Sequence, residues 1–190
     1  MANKLKKYYE EIHKSSENFR GISFNEKYLN IIKVLVESTK SKTVLDFGCG
    51  KGTQYTEKEY HKVFHIEDKN LFLYDIGVKK YDTLPKHKVD GTISTDVLEH
   101  IPEDEIDSVL STIFMNTKKW VFFSISCGLA VKKLPNGENA HCTIKEPKWW
   151  EDKIEKYNTK NIPVYCKYII PLRDEMNILN LTEEDLPYGH

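Results

Sequence analysis

Apolar residues follow two different periods along this chain. Near the start Leu5, Tyr8, Tyr9 and Ile12, then Phe19, recur at helical spacing and predict one amphipathic helix. Ser23 and Glu26 form a capping box before a second helical run, Tyr28, Leu29, Ile32, Leu35 and Val36. From Val44 the pattern changes to short apolar runs bounded by turn residues, which read as strands. These are Val44 to Phe47, Leu71 to Tyr74, Val89 to Ser94, Trp120 to Ser126, Val164 to Ile170 and a weaker Met176 to Leu179. Lys62 to Ile66 competes for the second position, and Tyr81 to Pro85 is a poorly marked stub with no room for a full helix on either side. Helical segments fall between: Thr53 to Tyr60, one opened by Pro102 with a buried stripe of Ile106, Val109, Leu110 and Ile113, and one opened by Pro147. Strands alternating with helices predict an α/β fold, a mostly parallel sheet flanked by helices. The almost unbroken apolar run from Trp120 to Ser126 suits a strand covered on both faces. The last two strands are expected to pair antiparallel.

The stretch Val44-Leu45-Asp46-Phe47-Gly48-Cys49-Gly50-Lys51-Gly52 is a strand ended by a glycine-rich turn that leads into a helix. Glycines there allow positive φ and let a ligand approach the backbone with no Cβ in the way. The carboxyl end of a first strand is where open α/β sheets place their ligands. A phosphate-binding loop would need Ser or Thr after Lys51 and a glycine at position 45, where Gly52 and Leu45 stand. A dinucleotide fingerprint needs its third glycine three positions after the second, and Gly52 comes two after Gly50.

The remaining pattern, Asp46-x-Gly48-x-Gly50-x-Gly52, resembles the signature of class I S-adenosylmethionine-dependent methyltransferases. A second block, Ser94-Thr95-Asp96-Val97-Leu98-Glu99-His100-Ile101, is similar to the segment at the end of strand four in the small-molecule members of that superfamily. The resemblance covers about residues 28 to 126. It implies a Rossmann-like methyltransferase fold, one domain over 1–190 with an N-terminal helical cap at 1–42 and a core at 43–190. It implies S-adenosylmethionine as cofactor, with S-adenosylhomocysteine as product. Asp46, Gly48, Cys49, Gly50 and Gly52 would then line its site, with Asp96 and Val97 beside the methionine part or the adenine. Asp46 is expected to fix the turn and the cofactor's amino end. The strand-three region is reduced relative to that fold, which leaves the adenine contact unassigned. The family also places N-terminal arms over the substrate side, so Tyr8, Tyr9 and Phe19 are pocket candidates as well as ordinary core residues.

An acid ending the second strand can accept both ribose hydroxyls of a nucleoside, because a carboxylate has lone pairs for two donors. Asp75 is the first candidate, and Glu67 or Asp68 remain open if the second strand is Lys62 to Ile66. His100, just after the strand-four edge, and His141, in a polar loop with turn chemistry at Pro135-Asn136-Gly137, are candidate catalytic bases for an attacking hydroxyl. His100 reads equally as a packed residue holding the turn, and His141 as part of a flexible surface loop.

Length and charge narrow the function. At 190 residues the chain can bury a real core. A formal net charge of -1 gives no basic field for a nucleic-acid backbone, and Arg20 and Arg173 are the only arginines. A nucleic-acid substrate is therefore disfavoured. The Asn/Asp-Pro-Pro-Tyr sequence of amino-methylating DNA enzymes and the Pro-Cys dipeptide of cytosine C5 enzymes are absent. A small-molecule acceptor is the default, with an RNA or protein methyltransferase or a non-catalytic cofactor-binding module as alternatives. No apolar stretch approaches membrane-spanning length and the first residues carry no signal-peptide core, so a cytoplasmic protein is expected. No metal site is expected: the four cysteines are scattered, and His61 and His65, four apart, lack a third ligand.

Overall fold

The computed structural model describes residues 27–131, 133, 137–171 and 176–178. The expected arm at residues 5–19, the Ser23–Glu26 capping box, the Pro135-Asn136 turn and the acidic tail from Thr182 lie outside them. The chain runs α1 (Lys27–Ser38), β1 (Val44–Phe47), α2 (Thr53–Thr56), α3 (Tyr60–Val63), β2 (Leu71–Tyr74), β3 (Val89–Thr95), α4 (Glu103–Asn116), β4 (Thr117–Ser126), α5 (Pro147–Tyr157), β5 (Val164–Pro171) and β6 (Met176–Ile178). The strands form one sheet in the order β2-β1-β3-β4-β5-β6. The first five are parallel, and β6 pairs antiparallel with β5. The molecule is thus an α/β fold whose five-stranded parallel sheet is flanked by helices.

Alternation within β4 builds both faces. Trp120 and Phe122 point to one side, where they meet Tyr28, Ile32 and Leu35 of α1. Val121, Phe123 and Ile125 point to the other and pack on α4 and α5 through Ile106, Leu110 and Trp150. Each of these large apolar side chains, taken out of water, contributes roughly 1.5–3 kcal/mol. Gly91 of β3 makes room for Trp120, since a Cβ there would lie 2.1 Å from the indole ring.

Three expectations about elements are corrected. Tyr81–Pro85 is not a strand: Lys79–Tyr81 is a 3-10 turn, closed where the Asp75 amide donates to the Tyr81 carbonyl at 2.9 Å. The helix expected over Thr53–Tyr60 is two short ones, broken at Glu59, whose φ is 51°. The strand expected from Trp120 begins three residues earlier, at Thr117, directly after α4. The Thr117 hydroxyl bonds the Ile113 carbonyl and the Thr92 hydroxyl, and Lys119 reaches the Thr39 and Lys40 carbonyls at the end of α1. Local polar bonds thus start the strand where no apolar signal exists.

Lys62–Ile66 is likewise not the second strand, because Tyr60–Val63 is helical. Glu67 and Asp68 therefore precede β2, at the amino edge of the sheet, while Asp75 follows it at the carboxyl edge. The four cysteines form no disulfide. Among the described residues no helix is long and apolar enough to cross a membrane.

Candidate functional site

From β1 the chain crosses to β2 on one side, while β3 lies on the other. A parallel sheet opens a crevice at such a reversal, above the carboxyl ends of the strands. The turn after β1 lies there. Gly48, Gly50 and Gly52 have φ of 87°, 56° and 70°. Gly48 must be glycine for a second reason: a Cβ would meet Val97 Cγ2 at 2.3 Å, so Val97 at the end of β3 rests on the bare backbone. The Gly48 and Cys49 amides both donate to the Tyr74 carbonyl, at 2.7 and 3.1 Å, which ties the turn to β2.

Two buried carboxylates flank this turn. Asp75 accepts the Gly50 amide on Oδ2 and the Gly77 amide on Oδ1, both at 2.9 Å. Asp46 lies beneath it, where Oδ2 accepts the Gln54 amide nitrogen at 3.1 Å and the Tyr55 hydroxyl at 2.8 Å. Burial pushes the Asp46 carboxyl up to about 6, against the pull of the Tyr55 and Gln54 hydrogen bonds and with help from the Asp75 charge. Gln54 Oε1 is sealed in the same place with no partner. The Cys49 thiol is buried and pushed well above its ordinary value by burial and the Asp46 charge.

The Asp46 shift has a testable consequence. A raised acid binds its proton more tightly in the folded chain, so folding loses stability as pH rises from the unfolded value toward 6, and the penalty is complete above 6. It is on the order of 3 kcal/mol before the lost hydrogen bonds are subtracted. Asp46→Asn should therefore melt higher than wild type at pH 7.5, with the gain vanishing near pH 4. Thermal melts across that range check it, and a lower melting point at pH 7.5 would show that the charge is compensated.

The second part of the site lies at the end of β3. Asp96 has φ 58°, and its amide donates to the Ser124 carbonyl at 3.0 Å. Its Oδ1 is 3.9 Å from His100 Nε2 and 3.9 Å from His141 Nε2. The two imidazoles meet edge to face, with centroids 4.7 Å apart. Each is fixed from behind. His100 Nδ1 bonds the Ala140 carbonyl at 2.8 Å, and His141 Nδ1 bonds the Gly128 carbonyl at 2.6 Å. A neutral ring that donates through Nδ1 carries its lone pair on Nε2, so two imine nitrogens and a carboxylate oxygen converge, all within 4.8 Å of one another. Imidazoles anchored through the distal nitrogen are the usual arrangement around a metal ion, and the donor set suits a divalent cation. Candidate ligands for a metal ion thus converge from residues that no spacing rule groups.

Glu99 organises the approach of the loop that carries His141. Its carbonyl accepts the Cys142 and Thr143 amides at 2.9 and 3.0 Å, and its Oε1 accepts the Ser126 amide at 2.6 Å. Burial and the neighbouring Asp96 charge hold its carboxyl well above the usual range. Tyr28 of α1 bonds the Ser124 hydroxyl at 2.9 Å behind the same cluster. Neither Glu99 nor Tyr28 stands out as a site residue in the sequence. Glu99 lies inside the quoted 94–101 block, and its acid beside a histidine was the available signal. Tyr28 gives none beyond helical spacing.

All the predicted cofactor residues, Asp46, Gly48, Cys49, Gly50, Gly52, Asp75, Asp96 and Val97, border the carboxyl edge, and Val97 on Gly48 joins the two parts. Glu67 and Asp68 do not. They border a wide hollow at the opposite edge with Lys62, His65, Ile66 and Lys69, where Lys62 is paired with Glu59 and Lys69 with Glu67.

No protein-family model matches this chain, and no curated protein matches it. Among solved structures, a chain of the Pnkp1/Rnl/Hen1 RNA repair complex is similar over 84% of this chain, at 16% identity and a TM-score of 0.40. This chain spans 41% of that one, and so distant a likeness carries no conclusion about function.

Proposed function

We infer that this chain is an S-adenosylmethionine-dependent methyltransferase acting on an oxygen or nitrogen of a small-molecule acceptor, with a divalent cation on Asp96, His100 and His141. The observation that carries the reading is the junction at Val97: the glycine turn and the Asp96–His100–His141 cluster share one edge and touch through that residue. The turn fits the cofactor on two counts. It has a backbone that a ligand can approach closely, and two buried carboxylates beside an unpartnered Gln54 Oε1 favour a cationic amino end.

When bound, S-adenosylmethionine supplies a methyl group already activated by its cationic sulfur. The chain's task is then alignment and exclusion of water. Asp75, fixed at the carboxyl edge by the Gly50 and Gly77 amides, is the carboxylate placed to meet ribose hydroxyls. Asp96, His100 and His141 would hold a cation, whose chemistry there would be to acidify a nearby acceptor hydroxyl. Where no cation is bound, the Nε2 lone pair of His100 or His141 takes the acceptor's proton directly.

The test is calorimetric titration of the chelator-stripped chain with S-adenosylmethionine, S-adenosylhomocysteine and, as control, NADH, repeated with Mn²⁺. Micromolar binding of the first two and none of the third supports the cofactor. A folded chain that binds neither removes the methyltransferase reading. Labelled methyl entering RNA or protein but no small molecule would replace the acceptor class, and binding without product would leave a non-catalytic module.

A further inference from the structure

At the amino edge of the sheet, opposite the candidate site, the last turns of α4 and α5 leave a cleft of about 140 Å³, lined by Ser111, Phe114, Met115, Tyr157, Lys160 and Ile162. Small-molecule pockets run to roughly 300–1,000 Å³, so this one has room for a single side chain. Phe114 and Ile162 are buried, while Met115 is 64% exposed and leaves a flexible apolar group that can adapt to what enters. Lys160 follows α5, and its ammonium lies within hydrogen-bond reach of the ammonium of Lys88, which precedes β3. That contact holds the Lys160 group below its ordinary pKa. Both lysines are exposed, and among the described residues no acid pairs with either. Lys118, exposed at the start of β4, adds a third cation to the same edge.

Helix capping does not account for this pair. Lysines often bond the last carbonyls of a helix. Here other groups serve both ends: the Asn116 side chain bonds the Thr112 carbonyl and the Thr117 hydroxyl the Ile113 carbonyl, while the Asn158 amide donates to the Ile154 and Glu155 carbonyls. Two like charges beside an apolar cleft are left with no task inside the fold.

We propose that this cleft docks an acidic peptide segment of a partner protein, an apolar side chain entering between α4 and α5 while flanking carboxylates lie against Lys88 and Lys160. Charge complementarity selects the partner, since a carboxylate between the two ammonium groups relieves their repulsion. A nucleic acid fits less well: no arginine lines the cleft, and the Lys156 ammonium already lies over the Tyr157 ring, 5.0 Å from its centroid, where a base would stack. Docking there leaves the carboxyl edge open and does not depend on what that edge binds.

The test is fluorescence anisotropy of the full chain with labelled Glu-Glu-Leu-Glu-Glu, Glu-Glu-Ser-Glu-Glu and Gln-Gln-Leu-Gln-Gln peptides, alongside a labelled oligouridine and vesicles of anionic phospholipid. The first peptide should bind, the serine peptide about tenfold more weakly and the glutamine peptide about fivefold more weakly. Lys88→Gln with Lys160→Gln in one chain should bring the first peptide down to the affinity of the glutamine peptide, and Met115→Ser should erase the preference for leucine over serine. Lys148→Gln, which removes a lysine paired with Asp152 on the outer face of α5, should change nothing. All four positions are exposed, so the variants keep the fold, which thermal melts verify. Equal affinity for the three peptides, no binding at millimolar concentration, or unchanged binding in the double lysine variant would each overturn the proposal. Tighter binding of oligouridine or vesicles, lost in that same variant, would overturn it in favour of a nucleic acid or a lipid surface.

Discussion

In His141→Ala, affinity for Mn²⁺ falls at least a hundredfold while affinity for S-adenosylhomocysteine in the metal-free chain stays within about twofold. Removing a group that merely orients a metal ligand already costs roughly 10–100-fold. Here one of three converging donors is lost, and the two that remain, Asp96 Oδ1 and His100 Nε2, are 3.9 Å apart with no other ligand group converging on them among the described residues. The glycine turn is not among the contacts of His141. His141 hangs from the β4 loop through Gly128, and it meets Gly128, Asn139, His100 and Asp96, none of them in the glycine turn. His65→Ala is the control, because His65 pairs with Glu37 at the far edge. Electron paramagnetic resonance titration with Mn²⁺ measures the first quantity and calorimetry the second. Unaltered Mn²⁺ affinity in His141→Ala would remove the cation from the site and leave the imidazoles as proton acceptors.

Gly50→Val should cost more than about a hundredfold in S-adenosylhomocysteine affinity, or upward of 2.7 kcal/mol. Gly50 holds φ 56°, where an L residue costs about 1–2 kcal/mol and a β-branched one is a genuine outlier. Its amide also donates to Asp75 Oδ2. A valine that leaves this region breaks the bond that joins the turn to the ribose candidate. A valine that keeps it holds a strained conformation in the turn a ligand must approach. Either way binding suffers, while the core beneath, built from Leu45, Val44 and Ile93, loses no contact. Wild-type affinity in a folded Gly50→Val chain would move the cofactor away from this turn.

Local patterns made part of this molecule readable before its structure. Asp46 to Gly52 is a turn whose chemistry is contained in a few consecutive residues, and β4 announces itself because both faces are covered. What escaped depends on contacts between distant residues. The meeting of His100 and His141 is set by Glu99, whose carbonyl takes two amides more than forty residues away, and no spacing rule reaches that far. Tyr81 to Leu84 carries the aromatic and β-branched composition of a strand, yet the Asp75–Tyr81 bond closes it as a turn first. The start of β4 was hidden for the opposite reason: Thr117, Lys118 and Lys119 look like a loop, and their polar bonds to α1, α4 and Thr92 make them strand. Asp75 was separable from Glu67 and Asp68 only once α3 was seen to occupy the place of a strand.

The return of the β4 loop has a further consequence. Cys142 and Thr143 give their amides to the Glu99 carbonyl, Thr143 Oγ1 bonds the Ile101 carbonyl at 2.6 Å, and Cys142 Sγ bonds the His100 carbonyl at 3.1 Å. Four bonds fasten one short stretch to the turn that carries His100. The conformational entropy of bringing the two histidines together is therefore surrendered when the chain folds, and little of it remains to be lost when a ligand arrives. An ion arriving there would meet donors already in position, and its affinity would be governed by the chemistry of the donors and its own hydration.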